Sequence, residues 1–558
     1  MKTIYLTVVI LICFSGAIMK AQTPNWAWAK CAIDPSTDQA NSVTTDVFGN
    51  VYITGNFGGN IIFGSTTLSC SSYTDIFLVK YDANGNVIWA KSAGGASNDV
   101  ATSVTTDISG NIYITGSFNS LTISFGNTTL TNTNGFSDIF IAKYDSSGNV
   151  IWAKSAGGSA ADIANCITTD ILNNVYIAGV FKSDTITFGT TFLLNTTADT
   201  NDIFFAKYDS SGNLLWAKSA GGTNNDYVTS IATDAFGNTY MIGNFLSPTI
   251  TFESYTITNA GSSNIFLTKY DSAGNVVWVK SGVGTTSGLS NSVTINANQN
   301  IYVAGQFGGS ITFGSTTLIS AGLEDIFLTK YDTSGNVVWA KGFGSPAWEA
   351  ANSVITDGAG NIYLAGAFDS TITFGTTTLA VDSIGKNIFL VKLDNSGNVL
   401  WAKSAGGNFA LGCDDRPTSV ISDSLGNVFV TGYFTGATIN FGSIVLPNDN
   451  STFQNLFLAK IDGTTGINEI SQFNNSILLS PNPFTTTSTL TLQGTYHNPS
   501  LFIYNLLGQV VGTLHATALP NQQITIRRNN LPAGMYFYKL IDENKEVLGV
   551  GKFIINDF

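Results

Sequence analysis

Histidine is almost missing from this chain: 558 residues hold 2, His497 and His515, and residues 22–466 hold none. Nucleophilic catalysis of the Ser/His/Asp or Cys/His kind needs that base within hydrogen-bond reach of the nucleophile, so the long first part of the chain has no means to run it. Histidine-ligated zinc falls with it. Basic charge is scarce too, 24 Lys and Arg against 37 Asp and Glu, and a net charge of −13 with no basic run speaks against nucleic acid or an anionic membrane as partner. Cysteine numbers 5, with no Cys-x-x-Cys spacing, which removes a metal knuckle, and no metal or cofactor is expected. Past residue 21 no stretch reaches the roughly 18 to 20 apolar residues of a membrane span, so no integral membrane segment is expected after the leader. Apolar patterns of helical period are missing as well.

The leader is the exception. Lys2, an apolar run from Ile4 to Ile18 and then Lys20-Ala21 read as a secretory signal peptide, residues 1–21, cut near Ala21. Cys13 follows Ile12, where lipid attachment would want a small residue. For Cys31, Cys70, Cys166 and Cys413 the sequence leaves disulfides and buried thiols equally open.

What is present is a period. Asp75-Ile-Phe-Leu-Val-Lys-Tyr-Asp82, then Ala-Asn-Gly, then Asn86-Val-Ile-Trp-Ala-Lys91 reads as a β-hairpin, because Gly and Asn tolerate the positive φ of a short hairpin loop. The phrase returns at residues 138–154, 202–218, 264–280, 325–341 and 387–403. Trp28, Trp89, Trp152, Trp216, Trp278, Trp339 and Trp401 are spaced by 61, 63, 64, 62, 61 and 62 residues. The two lysines of the phrase supply 14 of the 24 basic residues, so even the positive charge belongs to the repeat. A second strand pair, Ser42-Val-Thr-Thr-Asp46 and Asn50-Val-Tyr-Ile-Thr-Gly-Asn-Phe57, recurs seven times, and a small inset hairpin at residues 61–68 lies between the pairs. Four principal strands per unit at this period predict a β-propeller.

The two ends decide closure. The seventh unit stops at Asn455-Leu-Phe-Leu-Ala-Lys-Ile-Asp462 without its Trp strand, while Trp26-Ala-Trp-Ala-Lys30 begins the repeat region without its hairpin partner. Joined, the two halves close a seven-bladed ring over residues 22–466; an open β-solenoid is the alternative and would leave both as bare edges. The strand Asp-Ile-Phe-Leu-Val-Lys-Tyr fits mid-blade, where neither face needs to alternate. The tryptophans are expected to wedge between blades.

At this point the units resemble a bacterial β-propeller repeat family (SBBP-type), through Asp46-x-x-Gly-Asn-x-Tyr-x-x-Gly-x-Phe57, Ile62-Phe-Gly64 and Asp75-Ile-Phe-x-x-Lys-Tyr-Asp82. The resemblance implies fold and an extracytoplasmic setting, and no single activity. After Gly466 the period ends. A linker at residues 467–475 and strand-like stretches separated by turns over residues 476–558 predict a small Ig-like β-sandwich. Its phrases, Pro481-Asn482-Pro483, Tyr504-Asn-x-x-Gly508-Gln509, Leu531-Pro532-Ala-Gly534-x-Tyr536 and Gly551-Lys552-x-Ile554, resemble the type A C-terminal sorting domain of the type IX secretion system. That resemblance implies export across the outer membrane, with the type IX machinery as partner and a secreted or surface-attached product.

Candidate chemistry is sparse. The Asp-x-x-Gly-Asn turns lack the downstream bidentate Glu of a calcium loop and read as capped turns. Both turns of each unit fall on one face, so the variable connections share the other, the face that ligands favour. There the repeated Ser-Ala-Gly-Gly…Asp (Asp99, Asp162, Asp226) is periodic and reads as structural, while Trp348-Glu349 and Cys413-Asp414-Asp415-Arg416 break the period and stand as ligand-binding candidates. An exposed Trp beside a carboxylate suits a sugar ring. The expected function is non-enzymatic binding of a glycan or surface protein; the alternative is a polysaccharide hydrolase or lyase working through paired carboxylates.

Overall fold

The computed structural model is all β in the residues it describes: 23–32, 36–132, 134–381, 385–407, 413–448, 453–463, 478–491, 499–505, 510–515, 523–529, 531–541 and 547–556. The leader (1–21), the linker (467–475), Gly508 and Gln509 lie outside them. The chain divides into two compact units, residues 1–464 and 465–558.

In the first unit each repeat forms a four-stranded antiparallel blade. Blade one is Asp38–Thr45, Val51–Phe57, Asp75–Tyr81 and Val87–Ala93, in sequence order from the innermost strand outward. The described residues form seven such blades in all, and the seventh combines Arg416–Ser422, Val428–Phe434 and Asn455–Ile461 with Trp26–Cys31 as its outermost strand. That strand runs antiparallel to its partner, Ala29 opposite Ala459 and Lys30 opposite Leu458. Inner strands are stitched to the preceding blade by Asp99 N to Thr74 O (2.9 Å), Asp162 N to Ser137 O (2.7 Å) and Asp226 N to Asn201 O (2.8 Å). The same stitch joins blade one to blade seven, Asp38 N to Gln454 O at 2.9 Å, and Thr418 Oγ1 donates to Ala40 O at 2.6 Å across that join.

Local chemistry explains the turns and the close packing. Asp46 Oδ1 accepts from Phe48 N and Asn50 N, each at 2.9 Å, Asn50 Nδ2 donates to Oδ2 at 2.7 Å, and Gly49 sits at φ +81°. Asp82 caps its own turn in the same way, so these carboxylates serve the turn's own donors. Each inner strand carries a bulge, between Ala40 and Ser42 in blade one. There the Gln39 carbonyl approaches Gly55 so closely that a Cβ would stand 1.8 Å from it, which is why the second strand keeps glycine.

Both middle strands of a blade are buried almost throughout, and the cores lie between blades. Tyr52, Ile76 and Leu78 of blade one pack with Ala101, Ile112, Phe118 and Phe140 of blade two; Val51, Ile53 and Phe57 pack with Phe429, Leu456 and Leu458 of blade seven. Each such side chain contributes roughly 1.5–3 kcal/mol by leaving water. A polar latch sits beside the first of these cores. Lys80 lies 5.2 Å from the Tyr52 ring centroid and donates to Ser146 O in the next blade at 3.1 Å, and Trp89 Nε1 donates to the same carbonyl at 3.2 Å. The expected wedge is this indole. Across the join Trp28 Nε1 and Lys460 Nζ both reach Ala83 O, at 3.3 and 3.4 Å.

The inset hairpins, Asn60–Phe63 with Thr66–Ser69 in blade one, are braces. In later blades they pair back onto the end of the preceding outer strand, as at Gly157 with Thr187 and Gly221 with Thr251. Among the described residues no disulfide links Cys31, Cys70, Cys166 and Cys413, and no helix is long and apolar enough to cross a membrane.

The second unit is a β-sandwich. Leu478–Ser480, Thr487–Thr491 and Gln523–Arg527 form one sheet; Val510–His515, Ser500–Tyr504, Gly534–Ile541 and Val547–Ile555 form the other. One core, including Leu490, Leu501, Ile526, Tyr538, Leu540 and Phe553, lies between them.

Candidate functional site

The loop-rich face of the ring carries the starts of the inner strands, and there the blades part company chemically. At several blade boundaries the position before the stitching residue is joined by a parallel bridge to the start of the preceding blade's third strand: Thr74 with Asn98, Ser263 with Ser287, Glu324 with Trp348. Lys386 pairs with Asp414 in the same way. The first of these two columns reads Thr74, Ser137, Asn201 and Ser263 in blades one to four, then Glu324, Lys386 and Gln454.

The unusual side chains meet. Glu324 Oε2 accepts from Trp348 Nε1 at 2.9 Å and from Gln306 Nε2 at 2.6 Å. The Lys386 ammonium lies 4.1 Å from the Trp348 ring centroid, and the Arg416 guanidinium carbon 5.4 Å. Arg416 Nε donates to Asp414 Oδ1 at 2.7 Å, which Lys386 Nζ approaches only to 3.9 Å. Thr435 Oγ1 holds the Asp414 backbone N–H at 2.7 Å. All are partly exposed: the side chains of Lys386, Arg416 and Asp414 keep 24, 32 and 39 % of their surface. Two cations thus share one close carboxylate beside an indole, in a chain whose excess charge is negative.

Of the residues singled out by sequence, Trp348, Asp414 and Arg416 come together here; Glu349 and Asp415 do not. Glu349 is fully buried and stands opposite Phe368, the register that Asp99 holds opposite Phe118. Its carboxylate accepts from Ser345 N at 3.0 Å and from Ser345 Oγ, and burial raises its pKa. Asp415 is likewise buried, accepts from Gly407 N at 2.8 Å, and burial pushes it up to about 7. Both are the periodic Asp in disguise: the sixth and seventh crossovers differ enough in wording to hide the register. Trp348 is half-buried rather than open, with its N–H committed to Glu324 and both cations at its ring. Sequence reasoning missed Glu324 and Lys386, which stand out when the seven units are aligned in columns.

The glycines of Ser-Ala-Gly-Gly have a packing reason. A Cβ on Gly94 would stand 2.0 Å from the Asp75 carboxylate, and one on Gly157 2.0 Å from that of Asp138. These buried carboxyls recur in pairs across blade boundaries. Asp138 is pushed up to about 7 by burial and by Asp162, which burial raises to about 6.

In the second unit the sequence phrases converge on one corner. Asn482 Nδ2 donates to Lys552 O at 3.2 Å, and its Oδ1 accepts from Ile554 N at 2.9 Å. Tyr536 OH donates to Pro532 O at 2.9 Å, Gly534 pairs with Ile555, and Gly551 faces Tyr538, whose ring leaves no room for a Cβ. Pro481, Asn482, Pro483, Pro532, Gly534 and Lys552 are exposed there.

Comparison with known proteins agrees with both units. Residues 479–556 match the secretion system C-terminal sorting domain, and residues 88–120 match the β-propeller repeat. An uncharacterised WD repeat-containing protein of Acanthamoeba polyphaga mimivirus is 25 % identical, over 74 % of this chain and 36 % of its own length, so the chain spans about a third of that relative. The regulatory protein FlaEY of Caulobacter vibrioides is 25 % identical over 28 % of this chain and 17 % of its own. Among solved structures, the WD40 domain of Neurospora crassa Pan2 is similar at TM-score 0.36 and 9 % identity, covering 78 % of this chain and 97 % of that one; scores this low bear on neither chemistry nor ligand. The chain therefore carries β-propeller repeats followed by a secretion-system C-terminal sorting domain, and is exported by the type IX route to the cell surface or beyond.

Proposed function

We propose that this exported propeller is a non-enzymatic binding protein that takes an acidic glycan, one bearing carboxylate or sulfate groups, at the mouth of blades five to seven. The observation that carries this reading is the convergence of Glu324, Trp348, Lys386, Asp414 and Arg416 at one point of a ring that is otherwise repetitive. A ligand anion would meet Arg416 and Lys386, which among the described residues have Asp414 as their ion-pair partner; Trp348 holds both cations in place by cation–π contact. Charge-assisted hydrogen bonds from Arg suit carboxylate and sulfate. Against catalysis stands the engagement of the carboxylates: Glu324 with the indole, Asp414 with Arg416, Glu349 buried against Ser345.

The test is retention and product release on a panel of neutral and acidic glycans. Binding should favour acidic members, weaken with salt, and fall at least tenfold, about 1.4 kcal/mol, in Trp348→Ala and Arg416→Ala. Binding indifferent to both changes removes the site; shortened glycan released by the wild type and not by Glu324→Gln or Glu349→Gln makes the protein an enzyme.

A further inference from the structure

The opposite face carries two copies of one turn in each of blades one to six and the inner copy alone in blade seven, with the same capped backbone and different chemistry. The outer copies present Ala83-Asn84, Ser146-Ser147, Ser210-Ser211, Ser272-Ala273, Thr333-Ser334 and Asn395-Ser396. The inner copies, around the channel, present Val47-Phe48, Ile108, Ile171-Leu172, Phe236 and Leu425. These seven apolar side chains are 56 to 78 % exposed. Blades five and six are polar or small there, Asn298 and Ala359. Turn geometry does not ask for large apolar tips, since Ser serves the same backbone in the outer row.

We infer that this face is where a second copy of the chain docks, ring against ring. Seven side chains each more than half exposed offer on the order of 800 Å², the per-partner area of a standard specific interface. Around them runs a charged rim of both signs. Lys30 lies against Gly85 in the turn capped by Asp82, Lys91 against Gly148 in the turn capped by Asp145, and Lys280 against Gly335 in the turn capped by Asp332. An apolar centre inside a polar rim is the anatomy of a protein interface. A rim alternating Lys and Asp is complementary to itself, as a two-fold operator requires, and lacks the basic excess that an anionic lipid surface selects. Two rings joined by this face turn their mouths outward in opposite directions, which makes a bivalent binder.

Sedimentation velocity of the full exported chain at micromolar concentrations tests this. The wild type sediments as a dimer; Phe48→Ser, Leu172→Ser, Phe236→Ser and Leu425→Ser combined sediments as a monomer with unchanged thermal unfolding, and Leu172→Ser alone weakens dimerisation at least tenfold. Ile88→Ser with Ile151→Ser, exposed apolar sites on the outer strands, leaves the dimer intact. A monomeric wild type, a dimer that survives the fourfold change, or equal loss in the outer-strand variant overturns the inference. So does a monomeric wild type that co-sediments with phosphatidylcholine vesicles, which would assign the face to lipid.

Discussion

Blades one to four and blades five to seven share strand register and turn caps, yet differ where the inner strands begin. In the first group the paired positions are small and neutral, Thr74 with Asn98 and Ser263 with Ser287; in the second they are Glu324 with Trp348 and Lys386 with Asp414. A repeat that copies its packing residues faithfully and varies one column in one sector separates what the fold requires from what it leaves free. The packing residues are fixed by neighbours on both sides. The mouth column meets solvent, so substitutions there are tolerated by the fold and available to recognition.

The comparison breaks most visibly if packing positions are not equivalent between the two sectors. Phe140 and Phe389 occupy corresponding mid-blade sites and are fully buried, so Phe140→Ala and Phe389→Ala should each cost about 3–5 kcal/mol, read as matching losses in denaturant unfolding. A large inequality would mean that the sectors are held differently.

A smaller effect sharpens the comparison through pH. Asp138 and Asp162 have folded pKa values raised to about 7 and about 6 by burial. Carboxyls raised in the folded state favour it when protonated, so their contribution is complete below about pH 4 and is lost as pH rises through 6 to 7. Asn387 and Asn455 hold the site corresponding to Asp138 in blades six and seven. Asp138→Asn should therefore stabilise the chain by about 1–2 kcal/mol at pH 8, after allowance for solvent screening, with little change at pH 4; melting curves at the two pH values read the difference. An equal gain at both would remove titration as the cause.

Least of all should the mouth matter to stability. Glu324→Gln and Arg416→Ala alter half-exposed partners and should cost under about 1 kcal/mol, against the tenfold effect of Arg416→Ala on ligand.

Much of the ring was readable from residues alone. The 61- to 64-residue tryptophan spacing and the orphan strand at Trp28 led to the pairing of Trp26–Cys31 with Asn455–Ile461, because a strand short of a partner at each end has a unique remedy. The sorting phrases were equally plain. The site was half-legible: Trp348, Asp414 and Arg416 broke the period, but Glu349 and Asp415 were misplaced because crossover wording masked a register that repeats from blade to blade. Glu324 and Lys386 escaped notice because their meaning depends on a neighbouring blade's residue across a bridge that no local pattern announces.

Hydrogen exchange of the full exported chain with and without a bound acidic glycan tests the central claim most directly. Exchange should slow at the strand starts around Glu324, Trp348, Lys386 and Asp414 and stay unchanged at Thr74 and Asn98; protection confined to blades one to four, or to the turn face around Phe48 and Leu172, would contradict a binding site at blades five to seven.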